Sequence, residues 1–223
     1  MGASKKLMEE VILAYSSQLN ITTARFANVA FSNGSLLAGF IDRVMKQQPL
    51  SCPSDVKRFF VSPQESGEIC LLACVLGKSG EIFFPKLDEH KDMVNFADVV
   101  APFLQRLGFE PEVCHSESEA RNKAINAGSG KYPVFFFDSN TSGEKLFEEF
   151  YTDREELVLD RFASLGVIQN APRRKKEELN SIITEIEAMF SKEVRKEDIV
   201  LLLNKLLPDF KHIETGLNLD QKM

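Results

Sequence analysis

The residues whose types and spacing could do chemistry are Asn28, Ser32, Asn33, Gly34, Ser35 and Arg58. The β-branched run from Ile21 to Val29 reads as a short buried strand passing into the polar loop Ser32-Asn33-Gly34-Ser35. Helical periodicity resumes from Leu36 to Gln47. A parallel strand that ends this way sets its loop at the carboxyl edge of a sheet, where ligands of open α/β folds bind. A helix starting near Ser35 also offers free backbone N–H groups to an anion. Arg58 follows a proline-containing loop and precedes Phe59 and Phe60, and a guanidinium there could fork onto a diphosphate. Plainer uses exist: Asn28 and Ser32 could satisfy turn backbone, and Arg58 could pair with a surface carboxylate. Spacing alone does not choose between them.

The elements that must position these residues alternate between helix and strand. Leu7, Met8, Val11, Ile12, Tyr15 and Leu19 predict an amphipathic helix over 3–19, stopped at Asn20. Pro49 and Pro53 mark a loop, and Arg58 to Val61 is extended. Ser62, Pro63 and Glu65 then form a capping box for a helix running to about Leu76. Strands are expected at 81–85, 110–115 and 132–137, with one or two more within 157–168. Helices are expected at 94–107, 117–126, 144–151, 175–190 and 197–207. This alternation implies an α/β fold of βαβ units on a mostly parallel sheet. The expected division is 1–87 for the core and binding region and 88–223 for an α/β extension ending in helices.

Composition excludes several classes. A chain of 223 residues with 43% hydrophobic and 27% charged residues can build a real core. Its net charge of −6 argues against nucleic acid as a partner. Nor is there an apolar run near the ~20 residues of a membrane span. The four cysteines, Cys52, Cys70, Cys74 and Cys114, form no CxxC pair and are expected as buried free thiols in a reducing cytoplasm. His90, His115 and His212 lie too far apart to suggest a metal site, and none is expected. Arg173-Arg174-Lys175-Lys176 reads as a solvated helix start.

Three ordered motifs carry a resemblance. They are Met-Gly-Ala-Ser-Lys-Lys from Met1, Ala-Arg-Phe-Ala-Asn-Val-Ala-Phe-Ser-Asn-Gly-Ser from Ala24, and Lys-Arg-Phe-Phe-Val-Ser-Pro-Gln-Glu-Ser from Lys57. From Met1 to about Phe84 the chain resembles the C-terminal half of extended short-chain dehydrogenases/reductases. It is most similar to the UDP-N-acetylglucosamine 4,6-dehydratase and CapD-like polysaccharide-biosynthesis group. The run Tyr132 to Tyr151, including Phe137 to Lys145, resembles C-terminal regions of some members. The resemblance implies the C-terminal part of a Rossmann-like fold, a UDP-sugar substrate and NAD(P) chemistry in the full-length family. It implies a catalytic Lys5 that would bond the nicotinamide ribose and help tune proton and hydride transfer, while Asn28 would meet the sugar-phosphate region and Arg58 would grip the diphosphate. Ser32, Asn33, Gly34 and Ser35 would line the nucleotide side.

The chain also departs from the family. Met1 occupies the slot of the catalytic tyrosine four residues before Lys5, and a thioether cannot move a proton. Met1 is either a family residue or simply a start. No G-x-x-G-x-x-G turn occurs in the sequence. The expectation is therefore a substrate-binding half that holds NAD weakly alone and associates with a missing N-terminal half or with a copy of itself. The alternatives are a nucleotide-sugar epimerase, an inactive remnant kept for binding or assembly, and a regulatory sugar-nucleotide binder.

Overall fold

A computed structural model describes residues 2–125, 130–139, 150–207, 210 and 212. The chain runs α1 (Gly2–Ala14), β1 (Thr23–Ala24), β2 (Asn28–Val29), α2 (Leu36–Met45), β3 (Leu50–Pro53), β4 (Lys57–Val61) and α3 (Pro63–Leu76). It continues through β5 (Ile82–Pro85), β6 (Met93–Asn95), α4 (Phe96–Arg106), β7 (Glu110–Cys114), α5 (Glu117–Ala124) and β8 (Lys131–Phe137). The last elements are β9 (Glu156–Val158), β10 (Leu165–Gln169), α6 (Lys176–Phe190) and α7 (Lys196–Leu206). The fold is α/β, as expected. Its contacts divide it into two compact units, each assembled from separate stretches of chain.

The first unit comprises Met1–Arg25, Glu68–Lys86 and Phe150–Glu214. Its sheet has the order β1-β5-β10-β9, parallel between β1 and β5 and antiparallel elsewhere. Every residue of β5 is buried because both sheet faces are covered. Ile82 and Phe84 pack with Leu13 of α1, whereas Phe83 packs with Ile69 and Ala73 of α3. Gly166 stands opposite Phe84, and a Cβ there would come within 2.2 Å of its ring, so the position requires glycine. Helices α6 and α7 bury Leu179, Ile182, Leu202 and Leu206 together with Leu7 and Val11 of α1.

The second unit comprises Phe26–Gly67, Leu87–Glu149 and Thr215–Met223. It holds two three-stranded sheets, β2-β4-β6 and the fully parallel β3-β8-β7. On one face of the parallel sheet, Leu50, Cys52, Tyr132 and Val134 meet Leu37 and Phe40 of α2 and Val100 and Leu104 of α4. Helix α5 packs on β8 and β7, with Ala120 and Ala124 buried.

Several sequence expectations need correction. The Pro49–Pro53 loop contains strand β3, because an edge strand tolerates proline at its end. The run 21–29 splits into β1 and β2, which join different sheets. Strand β6 precedes α4, its Asn95 capping the helix by accepting from the Ala97 N–H at 3.0 Å. Cys70 and Cys74 are exposed, since α3 buries only the Ile69–Ala73 stripe one residue away. Cys52 and Cys114 are buried as expected, and burial pushes the Cys52 thiol up to about 12. The capping box is formed: the Glu65 N–H donates to Ser62 Oγ (3.1 Å) and the Ser62 N–H to Glu65 Oε2 (2.6 Å). Most of the helix expected at 144–151 and of the Phe137–Lys145 motif lies outside the described residues, while Phe150 and Tyr151 are not helical. Among the described residues, no helix is long and apolar enough to cross a membrane.

Candidate functional site

In the second unit, β2 and β4 run parallel with Asn28 opposite Phe60 and Val29 opposite Val61. Along β4, Phe59 and Val61 are buried while Arg58 and Phe60 are half-buried. The two-residue period therefore puts Arg58 and Phe60 on one face, and the register puts Asn28 on that same face beside Phe60. Consecutive same-face positions lie roughly 7 Å apart, so Asn28 and Arg58 flank Phe60 within the span of a small polar ligand. Phe60 is fixed edge-on against Phe96, with centroids 5.6 Å apart at 80°. Asn28 Nδ2 donates to the Phe59 carbonyl at 3.4 Å, and Arg58 Nη1 donates to the Lys57 carbonyl at 2.8 Å. Opposite Arg58 on β6 stands Val94, an apolar neighbour.

The loop after β2 continues from this face. The Ala30 N–H still reaches the Val61 carbonyl at 2.9 Å, and then the chain reverses. Phe31 takes a left-handed conformation (φ 57°) and Gly34 another (φ 76°). The Ser32 N–H bonds the Val29 carbonyl and the Ser35 N–H bonds the Ser32 carbonyl, at 3.1 and 3.0 Å. Ser35 then caps α2, its hydroxyl accepting from the Ala38 N–H at 3.2 Å. Ser32, Asn33 and Gly34 are exposed. The result is one face and one loop that hold an amide, a guanidinium and the amino end of a helix. Such a set can bind a phosphorylated ligand. It contains no general base.

Lys5 lies on α1 of the first unit and is exposed. Met1 lies outside the described residues. Sequence reasoning gave no role to a cluster that begins one residue after Lys5. Arg25 forks onto Glu9 at 2.6 and 2.7 Å and onto Glu155 at 2.6 and 3.0 Å. It also donates to the Phe150 carbonyl at 2.8 Å, while Lys6 reaches Glu9 at 2.8 Å and Glu155 at 3.8 Å. Burial pushes Glu9 and Glu155 up, but the hydrogen bonds and charge of Arg25 outweigh it, with help from Lys6, and hold both below the usual carboxylate range. Neither carboxylate is available as a proton donor near neutral pH. The cluster ties α1 to the end of β1 and to the 150–155 segment. Its signal was an arginine inside the apolar run 21–29, but the partner Glu155 lies 130 residues away. Among the described residues, no group of three His, Cys, Asp or Glu is placed to hold a metal ion.

The model of a family described as polysaccharide biosynthesis protein matches residues 1–169. A capsular polysaccharide biosynthesis protein of Staphylococcus aureus, CapD, is 26% identical over 159 residues, covering 70% of this chain and 23% of that protein. A UDP-glucose 4-epimerase of Rickettsia rickettsii is 28% identical over 166 residues, covering 72% of this chain and 41% of the epimerase. The chain thus spans less than half the length of either relative. The X-ray structure of Pen from Bacillus thuringiensis has the same fold, with a TM-score of 0.56 at 18% identity, over 82% of this chain and 57% of that one.

Proposed function

Because the chain belongs to the polysaccharide biosynthesis protein family, we propose that it supplies the sugar-nucleotide-binding part of an enzyme of glycan synthesis. In this reading its substrate is a UDP-sugar resembling UDP-N-acetylglucosamine, the reaction is 4,6-dehydration, and the setting is the cytoplasm. The observation that supports the reading is the register that sets Asn28 and Arg58 on one sheet face, continuous with the Ser32–Ser35 loop. Arg58 neutralises part of the diphosphate charge in a bidentate contact. Asn28 donates its amide to the sugar-phosphate region. The first-turn amides of α2 and the loop around Gly34 receive the nucleotide side. A second reading, 4-epimerisation, is favoured by the similarity to the UDP-glucose 4-epimerase of Rickettsia rickettsii.

Members that transform the sugar need NAD(P), which supplies hydride transfer when bound. The described residues do not fit a dinucleotide. Lys5 offers one exposed ammonium. Gly77 and Gly80, the only glycines of the chain spaced three apart, are not an open cradle: a Cβ at either would lie within 2.4 Å of another atom. A glycine-rich turn for the dinucleotide would have to come from outside these 223 residues. Calorimetric titration of this chain with NAD is expected to give no binding at micromolar concentrations, and a micromolar or tighter dissociation constant would refute this.

The binding reading is tested by heteronuclear NMR. Titration with UDP-N-acetylglucosamine should shift the backbone amides of Asn28, Ser32 to Ala38 and Arg58 in a saturable way. Saturable shifts elsewhere, with these amides unmoved, would count against it.

A further inference from the structure

The second unit holds a cavity of about 490 Å³ on the other face of its parallel sheet, lined by neither Asn28 nor Arg58. Its floor is the cross-strand pair Ser51 and Phe135, which point away from the core face carrying Leu50, Cys52 and Val134. That face is covered by α5, which packs on β8 and β7 and leaves room over the edge strand β3. The buried small residues Ala120 and Ala124 form the α5 wall, and the last turn of α2 forms the opposite wall. Arg43 comes from α2, Lys46 from its C-cap and Arg121 from α5, so three cations meet two carboxylates, Asp42 and Glu117, around one opening. We propose that this cavity is a ligand site for a small molecule with a phosphate or carboxylate on a flat apolar body.

The arrangement is not explained by the needs of the helix end. The Arg43 carbonyl accepts from the Gln48 N–H at 2.8 Å and lies 3.5 Å from the Tyr132 hydroxyl, while the Val44 carbonyl accepts from the Gln47 N–H at 3.1 Å. These bonds complete a Schellman turn, so cations are not needed to satisfy it. The turn also keeps Gln47 in a left-handed conformation (φ 54°), and Gln47 lines the cavity. Arg121 is paired with Glu117 at 2.5 Å, and Arg43 donates to the Pro49 carbonyl at 3.2 Å. Burial and then the charge of Arg121 lower the Arg43 pKa, with Glu117 and Tyr132 opposing, so the two guanidiniums sense each other across the opening. An oxyanion bridging them would relieve that repulsion with directed hydrogen bonds. Phe135, stacked on Phe137 at 6.2 Å, gives a flat body an aromatic surface. The cavity volume is in the range of small-molecule pockets.

The test uses the full chain and three probes unlike a sugar nucleotide: phenyl phosphate, benzoate and benzyl alcohol. NMR titration with phenyl phosphate should give saturable shifts at the amides of Gln47, Ser51 and Arg121. Arg43→Gln and Arg121→Gln should each weaken binding about tenfold, as expected for loss of a charge-assisted hydrogen bond. Arg121 is exposed, so its variant keeps the test valid if Arg43→Gln fails to fold. Binding of phenyl phosphate and benzoate alike, or of either alone, upholds the site and states which oxyanion it takes. Equal binding of benzyl alcohol, affinities unchanged in a folded variant, or shifts that never saturate would overturn it.

Discussion

Replacing Arg25 with methionine is expected to lower folding stability by about 3–5 kcal/mol near neutral pH, the usual cost of removing one partner from a buried ion pair. The Glu155 side chain is 2% exposed and that of Glu9 13%, so both carboxylates would remain out of water. Among the described residues, Lys6, its side chain 41% exposed, would be the remaining cation near them, and the Thr152 N–H would still donate to Glu155 at 2.8 Å. Methionine preserves much of the apolar stem, so the loss reports the guanidinium rather than a cavity. Arg25→Lys should recover only part of the loss, because an ammonium cannot fork onto two carboxylates at once.

Acid should narrow this difference. In the native protein, the folded pKa values of Glu9 and Glu155 lie below their ordinary 4.5. Their contribution is therefore complete above that value and is lost as pH falls through the folded pKa values. In Arg25→Met the burial that raises both groups acts without the arginine that lowers them. Protonation then relieves the variant while it weakens the native protein. Urea unfolding of both proteins at neutral pH and near pH 4 measures the effect. A neutral-pH loss under 1 kcal/mol, or a gap that widens on acidification, would contradict it.

Much of the fold was legible in the sequence because its signals are local. The Ser62–Glu65 capping box, the apolar run of β8 and the apolar stripe of α6 each reside within about fifteen residues, and each appears where expected. What the sequence hid is set by pairing over long distances. Strand β3 was concealed by Pro49 before it and Pro53 at its end, and its parallel partner β8 is some eighty residues away. The exposure of Cys70 and Cys74 follows from which stripe of α3 meets Phe83, which no helical period reveals when apolar residues surround the helix. The candidate site shows the same split. Asn28 and Arg58 could be picked out by residue type, but their common face depends on the β2–β4 register. Ser35 was expected at the pocket, and its hydroxyl is also the cap of α2.

The second large effect concerns Arg58. If it grips a diphosphate, Arg58→Ala removes a charge-assisted contact worth about 1.5–3 kcal/mol net, and affinity for UDP should fall roughly 10- to 100-fold. Asn28→Ala removes one neutral donor and should cost about fivefold, near 1 kcal/mol. Arg58 is half-buried beside Val94 and outside the main core cluster, so its loss should leave the melting temperature nearly unchanged.

The most direct measurement is calorimetric titration of the native chain and of Arg58→Ala with UDP and with uridine. Native protein should bind UDP more tightly than uridine, and Arg58→Ala should abolish most of this preference while leaving uridine affinity unchanged. Equal UDP affinity in the two proteins, or no UDP binding by native protein at millimolar ligand, would contradict it.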